Sequence, residues 1–503
     1  MSFFSRILKS SFWITLSKLL NRGLAFFCTL ILARILTPDD FGIIALATIV
    51  TAFFETLGQL GTKEYLLQEE APSKEDIDTS WTLQLITKII ISIIIFSSSG
   101  ILADFFNTQD LENLIKVLSI TPTLQGITNI AFILEIKKSN FKIITKIESI
   151  AKISSVIITL TLAMIFKNYW AFVASIISYH FIILILSYTC FRYKPTFNLL
   201  KANNQISFSK WTLLKGITNY INNKSDIIIL TNFTSTSFIG NYNICQTLLL
   251  TAKEIAITPF SDALNPEMAK LINTSNHIDK ISKSLFSLTI ITVPLTSLIY
   301  INAENIIEIT LGDLDKWKNA VEILYILTPI IITTIIIEEI TDYLTLMCKV
   351  KFLFIFEAFT ASTYFFTLYY ILTTTDIIYF LHAKIFLSFL FFSVILIALR
   401  RFSKISLKRL ILSLTSVIII GLVSIGSTIF ILHSFVNTSF SLIELGLSVS
   451  IYSIIYIINL SLSSLILRNY SNDWHFLNSV FINVIREAFN RLERAPEHDK
   501  NYK

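Results

Sequence analysis

Apolar stretches of about 20 residues recur from one end of the chain to the other, separated by short polar segments. A helix needs ~20 largely apolar residues to cross the hydrocarbon core of a bilayer. That rule predicts spans near 11–36, 42–60, 83–103, 114–134, 147–166 and 169–190. A second series falls near 209–232, 238–264, 284–303, 319–345, 352–372 and 377–399, and 410–434 and 441–467 follow. The pattern predicts an all-α, polytopic membrane protein of about fourteen transmembrane helices. Connections such as Thr37-Pro38-Asp39-Asp40 and Thr234-Ser235-Thr236-Ser237 are single turns. They leave no room for a soluble catalytic domain.

Composition agrees with the periodicity. Of 503 residues, 53% are hydrophobic and only 15% charged, whereas soluble domains carry about 25% charged residues. The opening MSFFSRILKS lacks the cleavage pattern of a signal peptide, so the N-terminus is expected to remain. The four cysteines and six histidines are scattered, without metal-ligand or disulfide-framework spacing. No metal site, catalytic motif or cofactor is predicted.

Basic residues orient the spans, because cytoplasmic loops are enriched in Lys and Arg. With the N-terminus inside, 28 of the 41 Lys and Arg residues fall on inner segments and 3 (Lys167, Lys316, Lys318) on outer ones. Both termini are then cytoplasmic. The net charge of +6 reflects basic cytoplasmic loops rather than a nucleic-acid partner. Beyond the last span, Trp474, Leu477, Phe481, Val484, Ile485, Phe489 and Leu492 recur at helical spacing beside Arg486, Arg491 and Arg494. This predicts an amphipathic helix on the inner membrane surface, with a small packing domain as the alternative.

An internal repeat organises the spans. A shift of 198 residues lays span one on span seven and Gly42 on Gly240, matching TPDDFG to STSFIG. Lys142-x5-Glu148 likewise matches Lys351-x5-Glu357, at the openings of spans five and eleven. Two six-helix lobes follow, residues 1–200 and 201–400, with two extra helices over 401–467 and a cytoplasmic tail over 468–503. Parallel repeats of this kind hold substrate between the halves and rock about it.

Ten basic residues remain inside spans. A charge at the bilayer centre costs roughly 2.5–3.5 kcal/mol on insertion scales. Lys88, Lys116 and Lys152 sit near predicted span ends and are expected to snorkel. The others concentrate in the equivalent first hairpins of the two lobes. Lys18 and Arg22 lie one turn apart on span one, with Glu55 on span two. Span seven carries Lys215, Asn219, Asn222, Lys224 and Asp226, and span eight carries Lys253 and Glu254. So many polar groups imply a wet cavity. Its cationic surplus suits a pyrophosphate or an acidic sugar. Lys18, Arg22, Lys215, Asn219, Asn222, Lys224 and Lys253 are the predicted substrate-binding residues. Glu55, Asp226 and Glu254 are candidates for ion pairing or coupling.

Residues 32–61 resemble the opening of bacterial polysaccharide exporters of the multidrug/oligosaccharidyl-lipid/polysaccharide exporter superfamily. The shared pattern is Ala33-Arg34, then Thr37-Pro38-Asp39-Asp40, then Phe41-Gly42 and a second span. The acidic segment KEDIDTSW, residues 74–81, is also similar, whereas Ser235-Thr236-Ser237 departs from the family's Gly-Pro-Glu turn. The resemblance implies an alternating-access flippase, not an enzyme, in a bacterial cytoplasmic membrane. It would carry undecaprenyl-pyrophosphate-linked oligosaccharides of O-antigen, capsule or exopolysaccharide. Its partners would be membrane lipids and the glycan polymerase and assembly machinery. Three readings compete: a lipid II flippase, a drug/cation antiporter of the same superfamily, and a membrane-embedded glycan polymerase or ligase. The antiporter would want an acidic aromatic pocket, and the polymerase a large outer loop bearing Arg or His.

Overall fold

The structure, a computed structural model, describes residues 20–480 and Ile482, except 59–61, 63–64, 67–68, 70–71, 139, 262–263, 265–267, 269–276, 436–440 and 469–470. The side chains of 204, 206–215, 219, 223, 350, 435 and 441 also lie outside the description. Among the described residues every regular element is a helix. The first half runs α1 (20–35), α2 (Pro38–Leu57), α3 (Lys74–Phe105), α4 (Asp110–Leu118), α5 (Ile120–Ile127), α6 (Ala131–Lys137), α7 (Phe141–Phe166) and α8 (Trp170–Cys190). Then come α9 (Ala202–Leu230), α10 (Thr236–Ala256), α11 (His277–Ile301), α12 (Ala303–Leu311), α13 (Lys318–Leu327) and α14 (Ile330–Leu346). The last are α15 (Val350–Thr374), α16 (Ile377–Ser403), α17 (Leu407–Phe435), α18 (Ser441–Leu467) and α19 (472–480).

Nine of these helices are long and apolar enough to cross a membrane, or eleven if each of two bent pairs is one span. The chain is a multi-pass membrane protein. Large apolar side chains such as Ile101, 74% exposed, and Phe366, 70% exposed, cover the outside, as a lipid solvent requires. Helices α1, α9 and α10 occupy three further predicted segments. Helices α9 and α10 are 29 and 21 residues long, yet neither is apolar enough to count among the nine.

Both bends have local causes. The chain turns by 58° between α5 and α6. There the Asn129 N–H donates to Ser187 Oγ (3.1 Å), and the Asn129 side chain bonds the Tyr193 carbonyl and the Ala131 N–H. A break at membrane depth is tolerated where side chains take up the freed backbone groups. The 46° bend between α13 and α14 falls at Pro329, which lacks the N–H that a continuous helix needs.

The motifs of the sequence turn out to be helix starts. Thr37 and Asp40 form a reciprocal capping box with Pro38 in the first turn of α2, the Asp40 N–H reaching Thr37 Oγ1 at 3.2 Å and the Thr37 N–H reaching Asp40 Oδ2 at 2.8 Å. Ser73 and Asp76 repeat the device on α3. Asp78, in the acidic segment, is buried and accepts from Tyr193 Oη (2.6 Å), Thr196 Oγ1 (2.6 Å) and the Thr196 N–H (3.1 Å). It pins the loop after α8 to the start of α3. Burial, with the hydrogen bond to Asp78 second, raises the Tyr193 phenol above its ordinary value.

The helices form two compact units. The first comprises Met1–Thr251, Thr310–Leu324 and Phe354–Lys384, and the second Ala252–Ile309, Tyr325–Leu353 and Ile385–Lys503. In the second unit, Trp474 of α19 is buried against Phe286, Val417, Tyr452 and Tyr456, and its Nε1 donates to Ser416 Oγ at 3.2 Å. Asp473 accepts from the Ser282 and Ser413 hydroxyls. Burial pushes its carboxyl above the usual carboxylate value, the two hydroxyls pull it back, and Asp279 pushes it up again. Trp474 and Leu477 were assigned above to a stripe facing the membrane surface. They pack into protein instead, because α19 docks in the cleft of α11, α17 and α18. Phe481 and the tail residues from Val484 onward lie outside the described residues.

Candidate functional site

In the first unit, α9 packs antiparallel along α2. Tyr220 Oη donates to the Ile49 carbonyl (2.8 Å), the rings of Phe53 and Tyr220 lie 5.3 Å apart, and a Cβ on Gly216 would meet Thr56 at 3.1 Å. This registers the polar stretch of α9 beside the half of α2 that carries Glu55. Lys224 lies one turn beyond Tyr220, so on the flank turned toward α2. Asn222 and Lys224 are half-buried and form no hydrogen bond or ion pair among the described residues. Arg22, on α1, is also half-buried. Lys18 and the side chains of Lys215 and Asn219 lie outside the described residues.

Asp226 turns to the opposite face of α9 and is buried. Its carboxylate accepts from Lys384 Nζ (2.6 Å), Tyr242 Oη (2.6 Å), Gln246 Nε2 (2.7 Å) and the Ile227 N–H (2.9 Å). Lys384 also bonds Tyr242 Oη and sits 5.0 Å from the Tyr242 ring centre and 5.9 Å from that of Tyr364. One acid on α9 thus binds α10 and α16 through a neutralised pair. Lys384 is one of the ten basic residues counted inside spans, and it lies outside the first hairpins of the two lobes. Its partner, 158 positions away, was not assigned.

Glu55 belongs to a separate network. Gln125 on α5 donates through Nε2 to Glu55 Oε1 (2.7 Å) and lies 3.4 Å from His180 Nε2, while its Oε1 accepts from Lys88 Nζ (3.0 Å). Four helices, α2, α3, α5 and α8, meet at this glutamine. The expectation that Lys88 snorkels is overturned. Helix α3 begins at Lys74, nine residues before the predicted span, so Lys88 sits mid-helix and is 8% exposed. Gln125 and His180 escaped the sequence reading because single polar residues in apolar runs carry no periodic signal. Lys116 pairs with Glu112 one turn away (2.6 Å).

Lys253 and Glu254 fall in the second unit. Lys253 Nζ reaches Glu338 Oε1 on α14 at 2.5 Å, with the lysine side chain 14% and the glutamate side chain 54% exposed. Glu254 is half-buried. Among the described cations, Lys253 is held by Glu338, whereas Lys224 lies on the α2–α9 flank. The structure holds a polar α2–α9 flank, a neutralised Asp226–Lys384 pair, a Glu55–Gln125–Lys88 network and a Lys253–Glu338 pair.

One end of the first unit, where α2 and α10 begin, is tightly built. A Cβ on Gly42 would stand 2.0 Å from the Thr236 carbonyl oxygen, and one on Gly240 would stand 1.8 Å from that of Pro38. Phe41 packs edge-on against Phe172 (5.4 Å) and Trp317 (5.6 Å). Lys316 donates to the Leu36 and Ala33 carbonyls at the end of α1. Its amine is drawn below the ordinary value by burial, against the pull of Asp313 and Asp40.

This arrangement of helices is that of the flippases and multidrug exporters. The fold matches a lipid II flippase, MurJ, solved in an inward closed conformation, with a TM-score of 0.72 and 13% identity over 90% of this chain and 98% of that one. It also matches an inward-facing multidrug resistance MATE family transporter of the MOP superfamily, at a TM-score of 0.58 and 13% identity over 76% and 96% of the two chains. Residues 31–322, more than half of the chain, match the family described as polysaccharide biosynthesis protein, and the chain belongs to that family.

Its curated relatives include the succinoglycan biosynthesis transport protein ExoT of Rhizobium meliloti (strain 1021), 23% identical over 52% of this chain. That match spans 53% of ExoT, about half of its length. The lipopolysaccharide biosynthesis protein WzxC of Escherichia coli (strain K12) is 22% identical over 71% of this chain and 74% of its own. The teichuronic acid biosynthesis protein TuaB of Bacillus subtilis (strain 168) is 21% identical over 40% and 42% of the two chains.

Proposed function

We propose that this protein flips an undecaprenyl-pyrophosphate-linked oligosaccharide from the inner to the outer leaflet of a bacterial cytoplasmic membrane by alternating access, with both termini cytoplasmic. The observation that carries the reading is the α9–α10 pair. Both helices are long enough to span the membrane, yet they are too polar to face lipid. Helices of this kind line aqueous paths. The half-buried Asn222 and Lys224 on α9, with the half-buried Arg22 on α1, suit a phosphate-bearing cargo. Lys18, Lys215 and Asn219 complete the same reading from sequence position. Lys253 serves it only when its bond to Glu338 opens.

The names of the relatives favour extracellular polysaccharide over lipid II or a cationic drug. The transporter names of relatives and fold neighbours also support a non-enzymatic role. The two-lobe reading, residues 1–200 and 201–400, draws support from the reciprocal Gly42 and Gly240 contacts, which obey the 198-residue shift.

Deletion of the gene in its host, with mass spectrometry of the lipid fraction, tests the substrate. Accumulated undecaprenyl-pyrophosphate-linked saccharides, cleared by re-expression, are expected. An unchanged lipid profile with normal surface polysaccharide would sink the proposal. Orientation is tested by cysteines at Ser235, just beyond the far end of α9, and Asn203, in its first turn, both exposed. In a background lacking the native cysteines, only the first is expected to react with an impermeant reagent from outside.

A further inference from the structure

Helix α14 reads IIITTIIIEEITDYLTL and carries two adjacent glutamates in opposite circumstances. Glu338 is exposed and holds Lys253. Glu339 is 3% exposed; Leu285 and Leu288, which flank its partner Ser284 on α11, and Ile335, Ile336 and Ile340, its neighbours on α14, are all buried. One of its oxygens accepts the Ser284 hydroxyl of α11 at 2.7 Å. The other, Oε2, is buried without a hydrogen-bond partner among the described residues. One turn further on, the Tyr343 hydroxyl is buried and equally unpartnered, its ring stacked on His277.

The charges around Glu339 are engaged elsewhere or turned outward. On α14, Asp342 is exposed and one turn away. On α11, Lys283 is bonded to Asp279 at 2.6 Å, and Lys280 is exposed. At the end of α10, Lys253 is held by Glu338, and Glu254 is half-buried beside it. On α16, which meets α14 where Thr333 bonds Ser388, His382, Arg400 and Arg401 are exposed. His277 touches Tyr343 rather than the carboxyl. Among the described residues, therefore, no cation meets Glu339. An isolated carboxylate in apolar surroundings neutralises itself by taking a proton. A single hydroxyl donor does not replace the hydration that an ionised carboxylate loses.

We propose that Glu339 is a proton-binding site: it is carried as the neutral acid in this conformation and ionises only when α14 draws away from α11 and water reaches it. One proton is bound and released per carboxyl, and no other bond changes. Glu339, rather than Asp226 with its lysine, is then the group through which a proton gradient acts on this protein.

The test is infrared spectroscopy of the purified full-length protein in nanodiscs at neutral pH, comparing wild type with Glu339→Gln. The difference spectrum is expected to contain a protonated-carboxyl C=O stretch, present equally in sodium and in potassium buffer. Ser284→Ala, which deletes the hydrogen bond, is expected to move that band to higher frequency, and it assigns the band even if the glutamine variant fails to accumulate. Only carboxylate bands at neutral pH, or an acid band that appears only when sodium is withdrawn, would overturn the proposal. The spectrum reads the proton whatever the cargo, so its failure is separate from failure of the flippase reading. In proteoliposomes, Glu339→Gln is further expected to abolish the response of flipping to an imposed pH gradient.

Discussion

Gly42 and Gly240, 198 positions apart, each abut the first residue of the other's helix, Gly42 meeting Thr236 and Gly240 meeting Pro38. The same shift relates those two partners, and it relates Thr37 to Ser235, which begin α2 and α10 as capping residues. A backbone oxygen about 2 Å from each ideal Cβ leaves no space for a methyl group. The contact is therefore closed by the absence of side chains, and the two glycines act as one feature.

Adding a methyl at either glycine forces α2 and α10 apart. Gly42→Ala and Gly240→Ala are each expected to cost about 1–3 kcal/mol, the usual range for overpacking. The double variant is expected to lose less than the two single losses added, because the first methyl already opens the contact. Thermal unfolding of the purified proteins measures this. Strict additivity would show that the two sites are independent.

The pair of Asp226 and Lys384 yields a different pattern. Removing one member of a buried ion pair strands the other and costs about 3–5 kcal/mol. Asp226→Leu and Lys384→Met are each expected to reduce abundance and thermal stability sharply, and the double variant to recover most of the loss. If the double variant is as unstable as either single one, the pair is not what binds α9 to α16.

These two cases show what the sequence makes legible. Apolar runs and their spacing locate the helices, because lipid leaves the backbone no other way to bond itself. The TPDD turn is local in sequence and the Gly42–Gly240 match is a repeat legible by a fixed shift, and both reappear as geometry. Lys88 was misread because the polar start of α3 hides the fact that the helix continues back to Lys74. Asp226 with Lys384, and Lys253 with Glu338, join positions 158 and 85 apart. Hydropathy flags each charge as costly without naming its partner, so Lys384 and Glu338 went unassigned as the partners of Asp226 and Lys253. Trp474 was misplaced for the same reason: an amphipathic stripe looks alike whether lipid or protein covers it.

Asp473 provides a pH signature for the docking of α19. Its folded-state pKa is raised, so the folded protein retains a proton that the unfolded segment has already lost. Docking is therefore most favourable below the ordinary carboxylate value of 3.8 and weakens as pH rises through the raised value. Asp473→Asn keeps an acceptor for Ser282 and Ser413 but carries no charge. Hydrogen exchange over 472–480 is expected to show the variant better protected than wild type at neutral pH and equal to it in acid. Weaker protection of the variant at every pH would mean that the ionised form holds the segment.

The central claim is tested most directly with the purified protein in liposomes carrying an undecaprenyl-pyrophosphate-linked oligosaccharide, by following exposure of the sugar to an impermeant periodate reagent. Wild type is expected to bring the inner-leaflet pool to the surface. At equal protein density, Arg22→Ala is expected to do so at less than a tenth of that rate and Arg22→Lys at an intermediate one, since an ammonium replaces the charge of the guanidinium but not its two-pronged grip on phosphate. Exposure no faster in wild-type vesicles than in protein-free ones, with the protein folded and correctly inserted, would contradict the claim.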